Sequence, residues 1–163
     1  MEALLYEKLG ENWVQCRICQ HFCKIQPGEK GRCNVRENQG GRLVSLVYDR
    51  VIATSCDPIE KKPIFHFKPG SSSYSIATVG CNFKCKFCQN SDIAQMPAGK
   101  NGMIQGRHIQ PRVIVEQALA SGCQSISYTY TEPSVFFELA YETAQLAKKN
   151  NLANIFVTNG YMS

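Results

Sequence analysis

Three cysteines in one short segment carry the clearest chemical signal in the sequence. Cys81, Cys85 and Cys88 lie in GCNFKCKFCQN with the spacing CxxxCxxC. One tight loop can bring three thiolates together without long-range folding, and thiolates are ligands for zinc and for iron–sulfur clusters. Structural zinc sites and ordinary iron–sulfur clusters take four protein ligands. A set of three therefore predicts a metal centre with an open coordination position, as a catalytic site requires.

Two later residues are the candidates for a fourth ligand, and the sequence argues against both. Cys123 is predicted to begin a strand, which places it at the opposite edge of a parallel sheet from the cysteine loop. His108 is distant in sequence. We expect Cys123, and Cys56 with it, to be buried as small apolar residues.

A second group of four cysteines lies near the start of the chain: Cys16, Cys19, Cys23 and Cys33. The pattern CxxCxxxC followed by a ten-residue step suits a closed tetrahedral zinc site, in which His21 could replace one ligand. An accessory iron–sulfur cluster is the alternative. Zinc is favoured because the fourth ligand is present and because Pro27, Gly28 and Gly31 supply the turns of a small knuckle.

Composition limits the compartment and the partners. Nine of the 163 residues are cysteine. This fraction, about 5.5%, is below the roughly 8–10% typical of disulfide scaffolds. No secretory signal and no uncharged stretch of 18 residues is visible, so we expect a cytoplasmic protein without a membrane span. The net charge of +5 is spread along the chain, which makes nucleic acid an improbable partner.

The predicted elements divide the chain near residue 70. Residues 1–70 are predicted to form a Cys-rich lobe and a connector, with a strand or hairpin at 42–53 and no regular element at 57–70. Beyond the boundary, the pattern predicts strands at 74–79, 124–129 and 155–158 and helices at 111–121 and 132–150. This alternation is typical of right-handed βαβ units with a parallel sheet.

The cysteine loop resembles the signature of radical S-adenosylmethionine (SAM) enzymes. In that superfamily CxxxCxxC holds a [4Fe–4S] cluster whose fourth iron binds the amino and carboxylate groups of SAM. Other segments are similar to the pyruvate formate-lyase activating-enzyme-like branch, most closely its AmmeMemoRadiSam group: CRICQHFCKIQPGEKGRCNVR, DPIEKKPIFHFKPG, YTYTEPSVFFE and VTNGYMS. The resemblance implies reductive cleavage of SAM to a 5′-deoxyadenosyl radical that abstracts hydrogen from a protein or small-molecule substrate, with electrons from a reducing donor.

The resemblance also implies roles for individual residues. Cys81, Cys85 and Cys88 are implied as the cluster ligands. Glu132 in TEP stands where relatives have a Gly-Gly-Glu-Pro segment that contacts the SAM amino group, although Tyr130 and Thr131 replace the two glycines. The alternative for Glu132 is a contact with a helix N-terminus.

Asn159 in TNG matches a polar position that can reach SAM or the substrate, and its alternative is a plain Asn-Gly turn. The cysteine loop, Glu132 and Asn159 each follow the carboxyl end of a predicted parallel strand, and this edge of an α/β sheet hosts the ligand. Gly80 fits the same edge, because a residue without Cβ lets the backbone turn sharply into the cluster loop.

The expected fold is therefore α/β, a partial (β/α) radical-SAM barrel behind a Cys-rich N-terminal lobe. Only three of the roughly six strands of such a barrel are predicted, so we expect a portion of a longer protein that is unstable or self-associating alone. Two other functions compete: a pair of zinc knuckles that contacts nucleic acid, and an electron-carrying ferredoxin. The ferredoxin is disfavoured because its cluster should have four thiolates.

Overall fold

The N-terminal part of the chain forms two small antiparallel sheets. The structure, a computed structural model, describes residues 1–99 and 102–163. A three-stranded sheet contains β1 (Tyr6–Lys8), β2 (Val14–Cys16) and β3 (Lys24–Ile25) in that order. A hairpin of β4 (Arg36–Gln39) and β5 (Arg42–Ser45) follows, and its turn uses Gly40 and Gly41, both with positive φ. A single 3-10 turn at Gly10–Asn12 joins β1 to β2.

A five-stranded mixed sheet forms the larger part of the molecule. Its strands are β6 (Arg50–Pro58), β7 (Ser72–Thr78), β8 (Arg107–His108), β9 (Ser125–Tyr128) and β10 (Ala153–Phe156). The spatial order is β10-β9-β7-β6-β8. Strands β7, β9 and β10 run parallel to one another, whereas β6 is antiparallel to both β7 and β8.

The helices lie between the parallel strands along the chain. They are α1 (Ser91–Ala94), α2 (Pro111–Ala120) and α3 (Phe137–Lys149), with 3-10 turns at Ile59–Lys61 and Pro133–Phe136. Side chains of α2 and α3 pack with those of β7 and β9 in the main core, whose most deeply buried members include Ile76, Ile114, Ile126, Tyr128 and Leu139. Burial of this apolar face, worth roughly 25 cal/mol per Å², holds the helices on the sheet.

The α/β class predicted from the sequence is confirmed, and the three strands predicted to be parallel, β7, β9 and β10, are parallel; the sheet is nevertheless mixed, because β6 and β8 add antiparallel pairs. The sequence pattern does not predict β6 as a partner of β7. Residues 59–71 connect β6 directly to β7 without a crossover helix. Adjacent strands joined in this way run antiparallel, because a parallel pair needs a longer crossover connection. The connector is also more regular than expected, since β6 extends to Pro58 and Ile59–Lys61 forms a turn of helix. A barrel beyond these strands stays a prediction.

The division at residue 70 also stays a prediction, and the five-stranded sheet crosses it. Strand β6 lies before residue 70 and pairs with β7 from Val51 to Pro58. The predicted helix at 132–150 begins as the 3-10 turn Pro133–Phe136 and becomes α-helical only at Phe137. The third predicted strand lies two residues earlier than expected, at Ala153–Phe156.

The N-terminal strands are joined to the larger sheet by a buried ion pair. Arg36 on β4 donates to the Glu138 carboxylate on α3 at 2.7 Å, and both side chains are almost fully buried. The second oxygen of Glu138 accepts the backbone N–H of Leu4 at 3.0 Å. Cys19 also forms an antiparallel bridge with Met162 beyond β10. These contacts connect residues more than 100 positions apart.

Cys56 departs from the sequence expectation. It lies exposed on β6, whereas Cys123 is buried as predicted. Neighbouring side chains of a strand point to opposite faces, and here the inward position belongs to Asp57. Within residues 1–99 and 102–163, no helix combines enough length and enough apolar residues to cross a membrane.

Gly80, directly after β7, is packed against the N-terminal part of the chain. Its φ of +98° lies in the region that favours glycine, and an added Cβ would come within 2.5 Å of the Val35 side chain and 3.2 Å of the Cys33 carbonyl oxygen. The absence of a side chain therefore serves two purposes: the turn into the cysteine loop, and close contact with residues 33–35.

We predict that Gly80→Ala lowers the free energy of unfolding more than Gly122→Ala. Gly122 also has a positive φ, +67°, but an added Cβ there meets nothing within 4 Å. Gly122→Ala should cost on the order of 1–2 kcal/mol for the backbone conformation alone. Gly80→Ala should cost a further 1–3 kcal/mol or so for overpacking against Val35. Urea titration of both variants measures the difference, and equal losses would contradict the close packing at Gly80.

Candidate functional site

A pocket of about 190 Å³ lies where the parallel strands β7, β9 and β10 end. It is lined by residues of the cysteine loop, of α1 and of the segments that follow β9 and β10: Cys81, Phe83, Cys85, Cys88, Ala94, Tyr130, Thr131, Glu132, Val157 and Asn159. Parallel strands place their carboxyl ends at one edge of a sheet, which explains why segments distant in sequence meet here. The structure thus brings together the three cysteines, Glu132 and Asn159.

The cysteine loop is held by hydrogen bonds at both of its ends. The Gly80 N–H donates to the carbonyl of Ile93 at 3.1 Å. The side-chain amide of Gln95 donates to the Phe83 carbonyl at 2.8 Å, and that of Asn90 donates to the Tyr130 carbonyl at 2.9 Å. The loop is therefore anchored to α1 on one side and to the end of β9 on the other.

The three cysteines differ in exposure. Cys85 is exposed, while Cys81 and Cys88 are half-buried. Burial raises the pKa of the Cys81 thiol, an effect partly offset by the Phe83 N–H and reinforced by the negative charge of Glu132. Cys81 is therefore protonated at neutral pH without a metal, and metal binding at this position must release a proton.

The donor set of the pocket suits a cluster with one open position. Among the described residues that line it there are three cysteines and no histidine. Cys123 instead lies 3.1 Å from Cys56, sulfur to sulfur, and His108 contacts Asp49 at 2.8 Å. No three His, Cys, Asp or Glu side chains in the described part of the chain are already gathered around the position of one metal ion. In a [4Fe–4S] cluster each thiolate binds its own iron, so the three sulfur atoms need not meet at one point.

Glu132 is almost fully buried and joins the segments that follow β9 and β10. Its carboxylate accepts the Thr158 hydroxyl at 2.8 Å and the Asn159 backbone N–H at 2.8 Å. It also accepts the N–H of Ser134 at 3.1 Å, which caps the 3-10 turn Pro133–Phe136. The helix-terminus contact considered for Glu132 is therefore present, and the residue also lines the pocket.

Asn159 lies between the pocket and a buried asparagine of the cysteine loop. Its side-chain amide donates to the Asn82 side-chain oxygen at 2.8 Å, and its own oxygen accepts the Tyr161 N–H at 3.0 Å. The second contact is that of a local Asn turn, followed by Gly160 with φ of +73°. Asn159 thus forms the turn and also contacts the residue after Cys81.

Tyr130 stands at one of the positions where the resemblance implies glycine, and its backbone is left-handed, with φ of +63°. Its hydroxyl donates to Asp57 at 2.7 Å, and Lys62 lies 5.0 Å above its ring. Lys62, almost fully buried, also donates to Asp57 at 2.8 Å. This network stabilises a conformation that a tyrosine rarely adopts.

The four N-terminal cysteines also come together. Cys16, Cys19, Cys23 and Cys33 line a second, much smaller cavity of about 10 Å³. Its remaining walls are Ile18, His21, Gly31, Arg32, Arg36, Asn82 and Val135. His21, the alternative ligand, directs Nε2 to the Asn82 carbonyl oxygen at 3.0 Å. Asn82 therefore lies between this cavity and the Cys81 pocket.

Sequence reasoning missed the residues that connect these sites. Asn82, Arg36 and Asp57 carry no recognisable spacing, because the contacts that connect them to His21, Glu138 and Tyr130 span 61 to 102 residues. The repeated Pro and Lys residues around Asp57 were a weak signal of an ordered segment. Of the two phenylalanines of the cysteine loop, Phe83 lines the pocket and Phe87 is 89% exposed.

A pocket with three cysteines at the carboxyl edge of an α/β sheet defines a class of site suited to an open metal cluster. The family model of the radical SAM superfamily matches residues 75–163, more than half of the chain. The chain belongs to the radical SAM superfamily. Members of this superfamily typically use a [4Fe–4S] cluster and SAM, and membership indicates SAM-dependent radical chemistry.

Two curated relatives are similar to this chain, both from Methanocaldococcus jannaschii. Uncharacterized protein MJ0808 is 47% identical over 161 residues, which cover 99% of this chain and 47% of the relative. Uncharacterized protein MJ0674 is 31% identical over 83 residues, which cover 50% of this chain and 19% of the relative. The chain thus spans less than half the length of either relative. No solved structure matches it.

We predict that Glu132→Ala destabilises the protein by at least about 1–3 kcal/mol, the cost of one unpartnered buried donor. Ser134, Thr158 and Asn159 would all lose their acceptor. Glu132→Gln keeps one acceptor oxygen and should cost less. Chemical denaturation of both variants measures the difference, and an Ala variant as stable as the Gln variant would show that these bonds contribute nothing.

A second prediction concerns how the free energy of unfolding changes at low pH. Burial alone would raise the pKa of Asp57, but hydrogen bonds from Lys62, Lys61, Tyr130 and Ser75 outweigh it and hold the pKa well below its usual range. Asp57 therefore stabilises the fold above its unfolded-state pKa of about 4, and this contribution is lost as pH falls below that value. Unfolding free energies measured from pH 6 to pH 2 should fall more steeply for the wild type than for Asp57→Asn. Parallel curves would contradict the assignment.

Proposed function

We propose that this chain provides the cluster and SAM site of a radical SAM enzyme of the pyruvate formate-lyase activating-enzyme-like branch, closest to the AmmeMemoRadiSam group. The observation that carries the proposal is the convergence of Cys81, Cys85 and Cys88 with Glu132 and Asn159 around one pocket. Three thiolates without a fourth cysteine or histidine in the described lining leave one iron of a [4Fe–4S] cluster available to a small molecule.

The three cysteines would hold the group that supplies the redox chemistry. A [4Fe–4S] cluster bound here would pass one electron from an external reductant to SAM, for cleavage to methionine and a 5′-deoxyadenosyl radical. Cys81, Cys85 and Cys88 would hold it as thiolates. Phe83, Ala94 and Val157 give the pocket an apolar wall that excludes water from the reacting groups.

Glu132 is proposed to receive the SAM amino group. Its carboxylate is fixed by three donors on two segments, so a cation that contacts it needs no further ordering of the side chain. A buried carboxylate beside a cationic group gives a charge-assisted hydrogen bond, the stronger kind. Asn159, whose backbone N–H already donates to Glu132, and the backbone after Gly80 are proposed to complete the polar wall of the pocket.

The substrate and the electron donor are proposed by class. Resemblance to activases of glycyl radical enzymes supports a protein or small molecule with an abstractable C–H bond as the substrate. A one-electron reductant is the required redox partner. The sequence offers no single-sign charge run that would favour nucleic acid.

Anaerobic reconstitution with iron and sulfide, followed by dithionite and SAM, tests the proposal. We expect the absorbance of a [4Fe–4S] cluster near four irons per chain, and 5′-deoxyadenosine among the products. Cys85→Ala should abolish both, because it removes one of three ligands. Cys56→Ala is the matched control: Cys56 is also exposed but lies outside the pocket, so its variant should retain both.

Two results would overturn the proposal. One is zinc without iron bound at Cys81, Cys85 and Cys88, which would favour the zinc-knuckle interpretation. The other is a Cys85→Ala variant that still assembles the cluster and cleaves SAM. Glu132→Gln adds a finer test, since it should keep the cluster absorbance while SAM affinity falls about ten- to a hundredfold, the loss of a charged hydrogen bond of roughly 1.5–3 kcal/mol.

A further inference from the structure

The four N-terminal cysteines are not used by the proposed radical chemistry, yet they line one small cavity. Cys16 and Cys19 belong to the small apolar cluster of the N-terminal strands, and Cys33 belongs to the main core. The cavity therefore lies between the two cores, lined by residues from β2, from the loops around His21 and Arg32, and from the cysteine loop. Its volume of about 10 Å³ is close to that of one water-sized sphere.

Polar groups on the cavity wall lack acceptors. Arg36 is fully buried, and its Nε and Nη1 have no hydrogen-bond partner among the described residues; only Nη2 is paired, with Glu138. The side-chain nitrogen of Asn82, also buried, has no partner in that part of the chain either. An unpaired buried donor costs about 1–3 kcal/mol, so three of them beside one cavity call for an acceptor.

We propose that Cys16, Cys19, Cys23 and Cys33 bind one Zn²⁺ ion as four thiolates, and that Arg36 and Asn82 donate hydrogen bonds to this centre. Zinc with four thiolates carries a net charge of −2. Glu138 accepts from Nη2 of Arg36, so Nε and Nη1 remain to donate to an anionic neighbour. Sulfur atoms of a zinc-thiolate centre accept such hydrogen bonds from outer residues.

The size of the cavity favours a single ion over an accessory cluster. The sulfur atoms are not yet gathered around one point. Rotation about the Cα–Cβ bond of a cysteine moves its sulfur between staggered positions without moving the backbone, so zinc can draw the thiolates inward. A four-iron cluster would instead have to push the walls apart, against the buried Arg36–Glu138 pair and the two apolar cores.

The proposed zinc centre also stabilises the base of the cysteine loop. His21, between two of the ligands, contacts the Asn82 carbonyl at 3.0 Å, and its ring lies 4.9 Å from that of Tyr161. Residues 33–35 pack directly on Gly80. A metal that fixes Cys33 and the loop around His21 therefore fixes the two residues on either side of Cys81.

The first experiment isolates the site in the triple variant Cys81→Ala/Cys85→Ala/Cys88→Ala, which lacks the other cysteine group. Purified under reducing conditions and loaded with Zn²⁺, it should retain about one zinc per chain. X-ray absorption should show four sulfur ligands at about 2.3 Å. Adding Cys33→Ser should remove the zinc in the presence of an equimolar chromogenic chelator, whereas adding Cys123→Ser, the matched change at a buried cysteine outside the cavity, should not.

The second experiment tests the outer donors. Arg36→Met with Glu138→Gln removes the buried charges together and keeps an acceptor for the Leu4 N–H. Replacing a buried ion pair by residues of similar size is often neutral for stability. Zinc affinity, measured by chelator competition in the same triple variant, should nevertheless fall about 10- to 100-fold. Circular dichroism should show an unchanged fold.

Several results would overturn the inference. These are a triple variant that binds no zinc, a zinc centre with nitrogen or oxygen ligands in place of sulfur, or iron and sulfide retained in place of zinc. Unchanged affinity after removal of Arg36 would overturn the role of the outer donors. Because the triple variant lacks Cys81, Cys85 and Cys88, the three ligands of the proposed radical SAM cluster, failure of the radical SAM proposal leaves this test unaffected, and the reverse also holds.

Discussion

The parallel alignment of β7, β9 and β10 is the constraint on which the candidate site depends. Each strand ends at the same edge of the sheet, so the segment that follows it is delivered to the same pocket. The cysteines follow β7, Glu132 follows β9 and Asn159 follows β10. If one of these strands paired in the antiparallel direction, its segment would emerge some 13–23 Å away, the length of a strand of four to seven residues at about 3.3 Å per residue.

Glu132 turns this coincidence of strand ends into a fixed geometry. The carboxylate accepts hydrogen bonds from Thr158 and Asn159 after β10, and it caps the 3-10 turn through the Ser134 N–H. One buried group therefore joins the segments that follow β9 and β10. The same carboxylate lines the pocket, where we propose that it meets the SAM amino group. The two interpretations that the sequence left open for Glu132 therefore do not exclude each other, since the contacts that hold the side chain also orient it.

The sequence predicted what depends on short-range patterns. Hydrophobic periodicity located α2 and β7, and the cysteine spacing with the strand-loop-helix order led to the pocket and to the superfamily. The sequence could not predict that β6 would pair with β7 in the antiparallel direction, because that pairing depends on how residues 59–71 connect the two strands. Nor could it predict the Arg36–Glu138 pair, since a contact over 102 residues leaves no local signature. The exposure of Cys56 was missed because composition does not reveal which face of a strand is buried.

The two cysteine groups show why ligand count and environment must be considered together. The three cysteines of the pocket include an exposed thiol, Cys85, and the pocket can admit a small molecule. The four N-terminal cysteines enclose almost no free volume, and a buried guanidinium lies against them. An open coordination position is useful only where a ligand can reach it, and Cys85 is exposed at the pocket. Cys23 is half-buried like Cys81 and Cys88, so the two groups differ in the exposure of Cys85, in cavity volume and in the buried guanidinium beside the N-terminal group. These differences support the proposed division into one group for the chemistry and one that holds the cysteine loop in place.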